Sequence, residues 1–120
     1  MRIDILTLFP DMCRNVYSES IIGRSIAKGL IEINSHNIRD YASNKHNNVD
    51  DTPYGGGMGM VMQAQPIYDC FMSLCDSIGK RPHLIYMSPQ GKVLTQQKVK
   101  ELAQLENIAI LCGHYEGVDE

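Results

Sequence analysis

Residues 49–60 read VDDTPYGGGMGM. Asp50 and Asp51 stand ahead of a proline, a tyrosine and the glycines Gly55, Gly56, Gly57 and Gly59. Glycine serves where the backbone takes positive φ or where another molecule comes very close. The chemistry this suits is tight contact between backbone and a ligand, with acids at the approach. Two further stretches combine glycine, a polar side chain and an aromatic: Tyr86-Met87-Ser88-Pro89-Gln90-Gly91 and Cys112-Gly113-His114-Tyr115-Glu116-Gly117.

None of the three is a phosphate cradle of the usual kind. A Walker A loop ending at Gly91-Lys92 needs glycine where Tyr86 stands and Ser or Thr where Val93 stands. In 55–60, Met60 occupies the last glycine position of GxGxxG. A ligand held by backbone amides and carbonyls, with an aromatic nearby, fits better. Each stretch also has a plainer reading. SPQG is a good turn by composition, since Pro and Gly supply the needed dihedrals. GHYEG has the same defence. His114 alone reads as a surface histidine, and Asp50 and Asp51 alone as a solvated loop or a local cap. Their coincidence in one small chain raises the functional reading.

The elements that must position these loops follow from hydrophobic pattern. Residues 3–9 are β-branched and apolar up to Pro10, a buried strand. Residues 18–28 form a short amphipathic helix through Ile21, Ile22 and Ile26, with Ser18 as N-cap and Gly29 at its C-terminal end. Residues 31–42 alternate in part and read as a second strand. Residues 43–62 show no period: a long loop, uncommon in compact domains and often functional. A helix over 64–78 carries Ile67, Phe71, Leu74, Cys75 and Ile78 on one face. HLIYM, 83–87, is a strand. Thr95 caps a helix over 96–105, and NIAILCG, 107–113, is a last buried strand. This alternation predicts an α/β domain with a mostly parallel sheet. In such sheets ligands bind beyond the C-terminal ends of the strands. The two aromatic loops follow successive strands, so if those strands are neighbours both loops line one pocket.

Composition narrows the class further. At 120 residues, 43% hydrophobic and 21% charged, the chain is of ordinary globular make-up and one domain at most. The net charge of −3 argues against binding nucleic acid by bulk electrostatics, though Arg24, Lys28, Arg39, Lys45 and His46 lie close in sequence. Cys13, Cys70, Cys75 and Cys112 show no zinc-ligand spacing and read as reduced, mostly buried thiols. No signal-peptide pattern and no run of roughly 20 apolar residues is present, so a cytoplasmic location is expected.

Together the segments DILTLFPDM (4–12), IIGRSIAKGLIEIN (21–34), NIRDYA (37–42), NKHNNVDDTPYGGGMGMVM (44–62), YMSPQGKVLTQQ (86–97) and LCGHYEGVDE (111–120) resemble the bacterial tRNA guanine-N1 methyltransferase family. The resemblance covers essentially the whole chain. It implies a SPOUT-type α/β knot, a homodimer with active sites at the subunit interface, and bound S-adenosylmethionine. It implies methyl transfer to N1 of the guanosine just 3′ of the anticodon, with tRNA as partner; Mg²⁺ is a further ion that the family's chemistry can use. By position, Tyr86, Met87, Ser88, Pro89 and Gln90 correspond to the first cofactor loop, and Gly113, Tyr115, Glu116 and Gly117 to the second. Asp50, Gly55, Gly56, Gly57 and Gly59 correspond to the loop that meets the target guanosine. Residues 1–120 match the N-terminal cofactor-binding domain. The family's catalytic aspartate, its partner arginine, a third cofactor loop and a helical tRNA-binding domain lie beyond the position of Glu120. Glu116 is thus an accessory near the transferring centre, and this chain is expected to be inactive by itself. Asn44 and Asn48 replace frequent charges, and Met58 replaces a usual proline or alanine. Two rival readings are a non-enzymatic dimerising fragment and a flavodoxin-type nucleotide module. FPDM, rather than a Gly/Ser/Thr-rich turn after the first strand, disfavours the second.

Overall fold

The computed structural model describes residues 1–42, 50–51, 61–62, 64–88 and 90–113. β1 (Arg2–Thr7) is followed by α1 (Pro10–Tyr17), α2 (Ser20–Ala27) and β2 (Glu32–Asn37). A single 3₁₀ turn, Ile38–Tyr41, closes β2. β3 (Asp50–Asp51), β4 (Val61–Met62), α3 (Ala64–Ile78), β5 (His83–Met87), α4 (Gln96–Leu102) and β6 (Asn107–Cys112) complete the order.

The predicted strands at 83–87 and 107–113 and the helix at 64–78 are all present. Thr95 caps α4 as expected, its Oγ1 accepting from the Lys98 N–H at 3.1 Å. Gly29 adopts φ +74° beyond α2. The Leu30 N–H reaches the Ser25 carbonyl and the Gly29 N–H the Ile26 carbonyl, both at 3.0 Å, which is a Schellman ending.

Four expectations need correction. β1 stops at Thr7, short of the expected Phe9, and Pro10 opens α1, a helix without a buried residue; proline at its first turn was the available sign. Ser18 does not cap α2. It ends α1, donating its hydroxyl to the Arg14 carbonyl at 2.6 Å, while α2 begins at Ser20 with φ +57°. The strand expected over 31–42 stops at Asn37, because the Asn37 Oδ1 accepts from the Arg39 N–H at 3.0 Å and turns the chain. Within the loop expected at 43–62, Asp50–Asp51 pairs antiparallel with Val61–Met62. Two-residue strands are held by backbone pairing and fall below any periodicity window.

The main sheet has the order β2-β1-β6-β5, with every neighbouring pair parallel. Both central strands are thus flanked by partners, and β6 reads as the nearly continuous apolar run of a doubly covered strand. One face presents Leu6, Ala109 and Leu111 to Cys70, Phe71 and Leu74 of α3, with Ile38 and Leu8 completing the core. α1 packs on the β1–β2 side, where the Tyr17 hydroxyl meets Ser35 Oγ at 3.1 Å. Among the described residues no helix is long and apolar enough to cross a membrane.

Candidate functional site

The register Tyr86↔Leu111 and Met87↔Cys112 puts the C-terminal ends of β5 and β6 side by side. Ser88 and Gln90 on one strand end, and Gly113 on the other, therefore leave the sheet at the same place. A Cβ on Gly113 would lie 3.3 Å from the Tyr86 hydroxyl and 3.4 Å from its Cε1. The bare backbone of Gly113 thus rests on the Tyr86 ring, and a side chain there would press on it. The Tyr86 ring would have to give by a few tenths of an ångström to admit it.

The SPQG segment is a turn as well as a strand exit. The Ser88 carbonyl accepts from the Gly91 N–H at 3.1 Å, and Ser88 Oγ accepts from the Gln90 N–H at 3.2 Å. The turn read from its composition is present, and it shapes the strand end. Tyr86 remains 43% exposed and Met87 57% exposed, although each is large and apolar. Exposed aromatic and thioether groups at a strand end suit a flat heteroaromatic ligand. Burial, followed by the neighbouring Cys13 thiol, pushes the Cys112 thiol up, so it stays protonated and is no nucleophile at neutral pH.

The ends of β1 and β2 are built by a matched pair of local bonds. Thr7 Oγ1 accepts from the Phe9 N–H at 3.1 Å, just as Asn37 Oδ1 accepts from Arg39. The Arg39 guanidinium sits over the Phe9 ring, 5.9 Å from its centroid. Sequence reading placed Arg39 only in a loose basic cluster; the turn-forming Asn two residues before it was the sign available.

Other features lie away from the strand ends. A groove of about 500 Å³, lined by Ala64, Ile67, Phe71, Met72 and Leu84 among others, runs between α3 and β5. Its walls are largely apolar, and among the described residues none of the proposed loop residues lines it. Among the described residues no group of His, Cys, Asp and Glu could hold a metal ion. Of the residues expected to bind ligand, Tyr86, Met87, Ser88, Gln90 and Gly113 come together. Asp50 lies in β3. Pro89, Tyr115, Glu116, Gly117, Gly55, Gly56, Gly57 and Gly59 lie outside the described residues.

In a parallel α/β sheet, adjacent strand ends such as these are where ligands bind. Residues 1–120 match the model of one family, described as tRNA (guanine-1)-methyltransferase TrmD. A tRNA (guanine-N(1)-)-methyltransferase of Ruminiclostridium cellulolyticum is 53% identical over all of this chain and 52% of its own length. One from Clostridioides difficile is 48% identical, again over 52% of its length. The crystal structure of tRNA (m1G37) methyltransferase from Aquifex aeolicus superposes with a TM-score of 0.91 at 38% identity, covering 100% of this chain and 54% of that one. The chain belongs to the tRNA (guanine-1)-methyltransferase family, and it spans about half the length of the relatives it matches.

Proposed function

We propose that this chain is the cofactor-binding part of an enzyme that methylates N1 of the guanosine just 3′ of the anticodon in tRNA. S-adenosylmethionine is the donor, and the site is the joined end of β5 and β6. The observation that carries the proposal is the Tyr86–Gly113 contact across a parallel pair, in a chain of this family.

When bound, S-adenosylmethionine supplies an electrophilic methyl group on sulfonium. Everything else falls to the protein. Tyr86, Met87, Ser88, Pro89 and Gln90 form one wall and Gly113, Tyr115, Glu116 and Gly117 the other; backbone amides and carbonyls hold the adenosine portion. Fixing the donor in one pose turns an encounter into an aligned transfer. Asp50 accepts hydrogen bonds from guanine N–H groups, and Gly55, Gly56, Gly57 and Gly59 let backbone and base approach. The target base leaves its stack to reach the cofactor. Neutral guanine carries a proton on N1, so a general base must remove it. No residue of this chain is assigned that role, and Glu116 is an accessory. The whole enzyme works as a cytoplasmic homodimer with a knotted cofactor site.

Calorimetric titration of the folded chain with S-adenosylmethionine tests the assignment. Saturable binding is expected, with Tyr86→Ala weakening it about tenfold, or ~1.4 kcal/mol. Absence of heat from a sample that is folded by circular dichroism would remove the strand ends as a usable site in this chain. The chain by itself should not methylate tRNA. A polypeptide carrying it at the full length of its relatives should yield N1-methylguanosine, read by mass spectrometry of digested tRNA, and failure there would sink the activity.

A further inference from the structure

We infer that Arg39 binds a phosphate of the RNA strand beside the base held at the β5–β6 end, an assignment that rests on the proposed tRNA substrate. Arg39 follows β2 directly, so it stands at the same C-terminal edge of the sheet as Ser88 and Gly113. β2 and β6 are separated by one strand, about 10 Å at the usual strand spacing. The ribose-phosphate chain flanking a bound nucleotide covers that distance readily.

The position of Arg39 is unusually well determined for a surface arginine. Asn37 Oδ1 holds its N–H at 3.0 Å, and Thr7 Oγ1 holds the Phe9 N–H at 3.1 Å. Thr7 and Asn37 are register partners on adjacent strands, so both turns are set by the same rung of the sheet. The guanidinium then rests over Phe9. A cation–π contact of this kind restricts the side chain without consuming its five N–H donors. That leaves a planar fork suited to phosphate.

Among the described residues its charge also has no ion-pair partner. Among the described residues Arg2 pairs with Asp4 and Glu32, Arg14 with Asp11, Lys80 with Glu106 and Lys98 with Glu101. No carboxylate of a described residue forms an ion pair with Arg39. Arg81 also sits over a ring, that of Phe71, but just before β5, at the opposite end of the sheet. In a chain of net charge −3, a preoriented cation at the ligand end is a local device for a polyanion, where bulk attraction is lacking.

Fluorescence anisotropy with a labelled anticodon stem-loop RNA, across a salt series, tests this. Arg39→Ala should weaken binding about fivefold at low salt and flatten the log–log salt slope by about 1. Arg39→Lys should keep the slope. Phe9→Leu, which keeps the charge and loses the ring, should weaken binding less and leave the slope unchanged. All three should bind S-adenosylmethionine as the unchanged chain does. Equal RNA affinity and slope in Arg39→Ala would overturn the assignment while leaving the substrate reading intact. A parallel loss of RNA binding, cofactor binding and melting temperature would show a merely structural role. No RNA binding by the unchanged chain would overturn the RNA reading of this sheet edge, and Arg39's role with it.

Discussion

At the scale of single residues, the buried carboxylate of Asp4 carries the clearest electrostatic consequence. It is 0% exposed, yet it accepts from Arg2 Nε at 2.9 Å and contacts His36 Nε2 at 2.8 Å. Burial by itself would raise its pKa; the hydrogen bonds from His36 and Arg2, helped by their charge, outweigh that and hold it below the ordinary carboxylate value of 3.8. The native state therefore binds fewer protons here than the unfolded one. The stability Asp4 confers is complete above about pH 4 and is lost as pH falls through its folded pKa. Asp4→Asn should cost about 2–3 kcal/mol at pH 7, near the low end for breaking a buried pair because Arg2 and His36 keep some water. In urea unfolding curves the gap between the two proteins should close as pH drops below 4. A gap that stays constant down to pH 2.5 would mean that Asp4 does not titrate with folding. None of this network was visible in sequence. Asp4 sits within a segment whose pattern is otherwise that of an apolar strand, and only the register that lays β2 beside β1 brings His36 to it.

At the scale of elements, the α1–α2 corner depends on one missing side chain. A Cβ on Gly23 would lie 2.4 Å from the Ser18 carbonyl oxygen. That oxygen is backbone at the end of α1 and cannot swing aside. Gly23→Ala should force the two helices apart and cost about 2–3 kcal/mol, read as a lower denaturation midpoint with little change in far-ultraviolet circular dichroism. An unchanged midpoint would show that the corner relaxes freely. Elements with a strong local code were legible: α3 by its apolar face, β6 by its unbroken hydrophobic run, α4 by Thr95, and the end of α2 by Gly29. Elements set by contacts were not. α1 opens at Pro10, which reads locally as the end of a strand, and the end of β2 is set by a side chain of Asn37 that could equally have continued the strand.

At the scale of the whole molecule, the sheet ends on β5, whose outer edge has no described partner strand. Leu84, Tyr86 and Met87 on that strand are exposed, as are Val93 and Leu94 just beyond it. Exposed apolar side chains beside an open strand edge favour association. The proposed homodimer accordingly predicts that the chain sediments as a dimer at tens of micromolar, and a monomer under those conditions would count against self-association through this face.

The alternation of strand and helix, the parallel α/β class and the three glycine-bearing segments were determined by sequence alone, because periodicity, caps and glycine are local properties of the chain. The family, too, was legible there, since its motifs are contiguous strings. Tertiary structure decided which strands are neighbours. Only the order β2-β1-β6-β5 joins Tyr86 to Gly113, brings His36 to the buried Asp4, and sets Arg39 over Phe9 at the same edge as the proposed cofactor loops. Each of these contacts joins segments far apart in the chain or on separate strands, and strand order is a global packing choice that no local window contains.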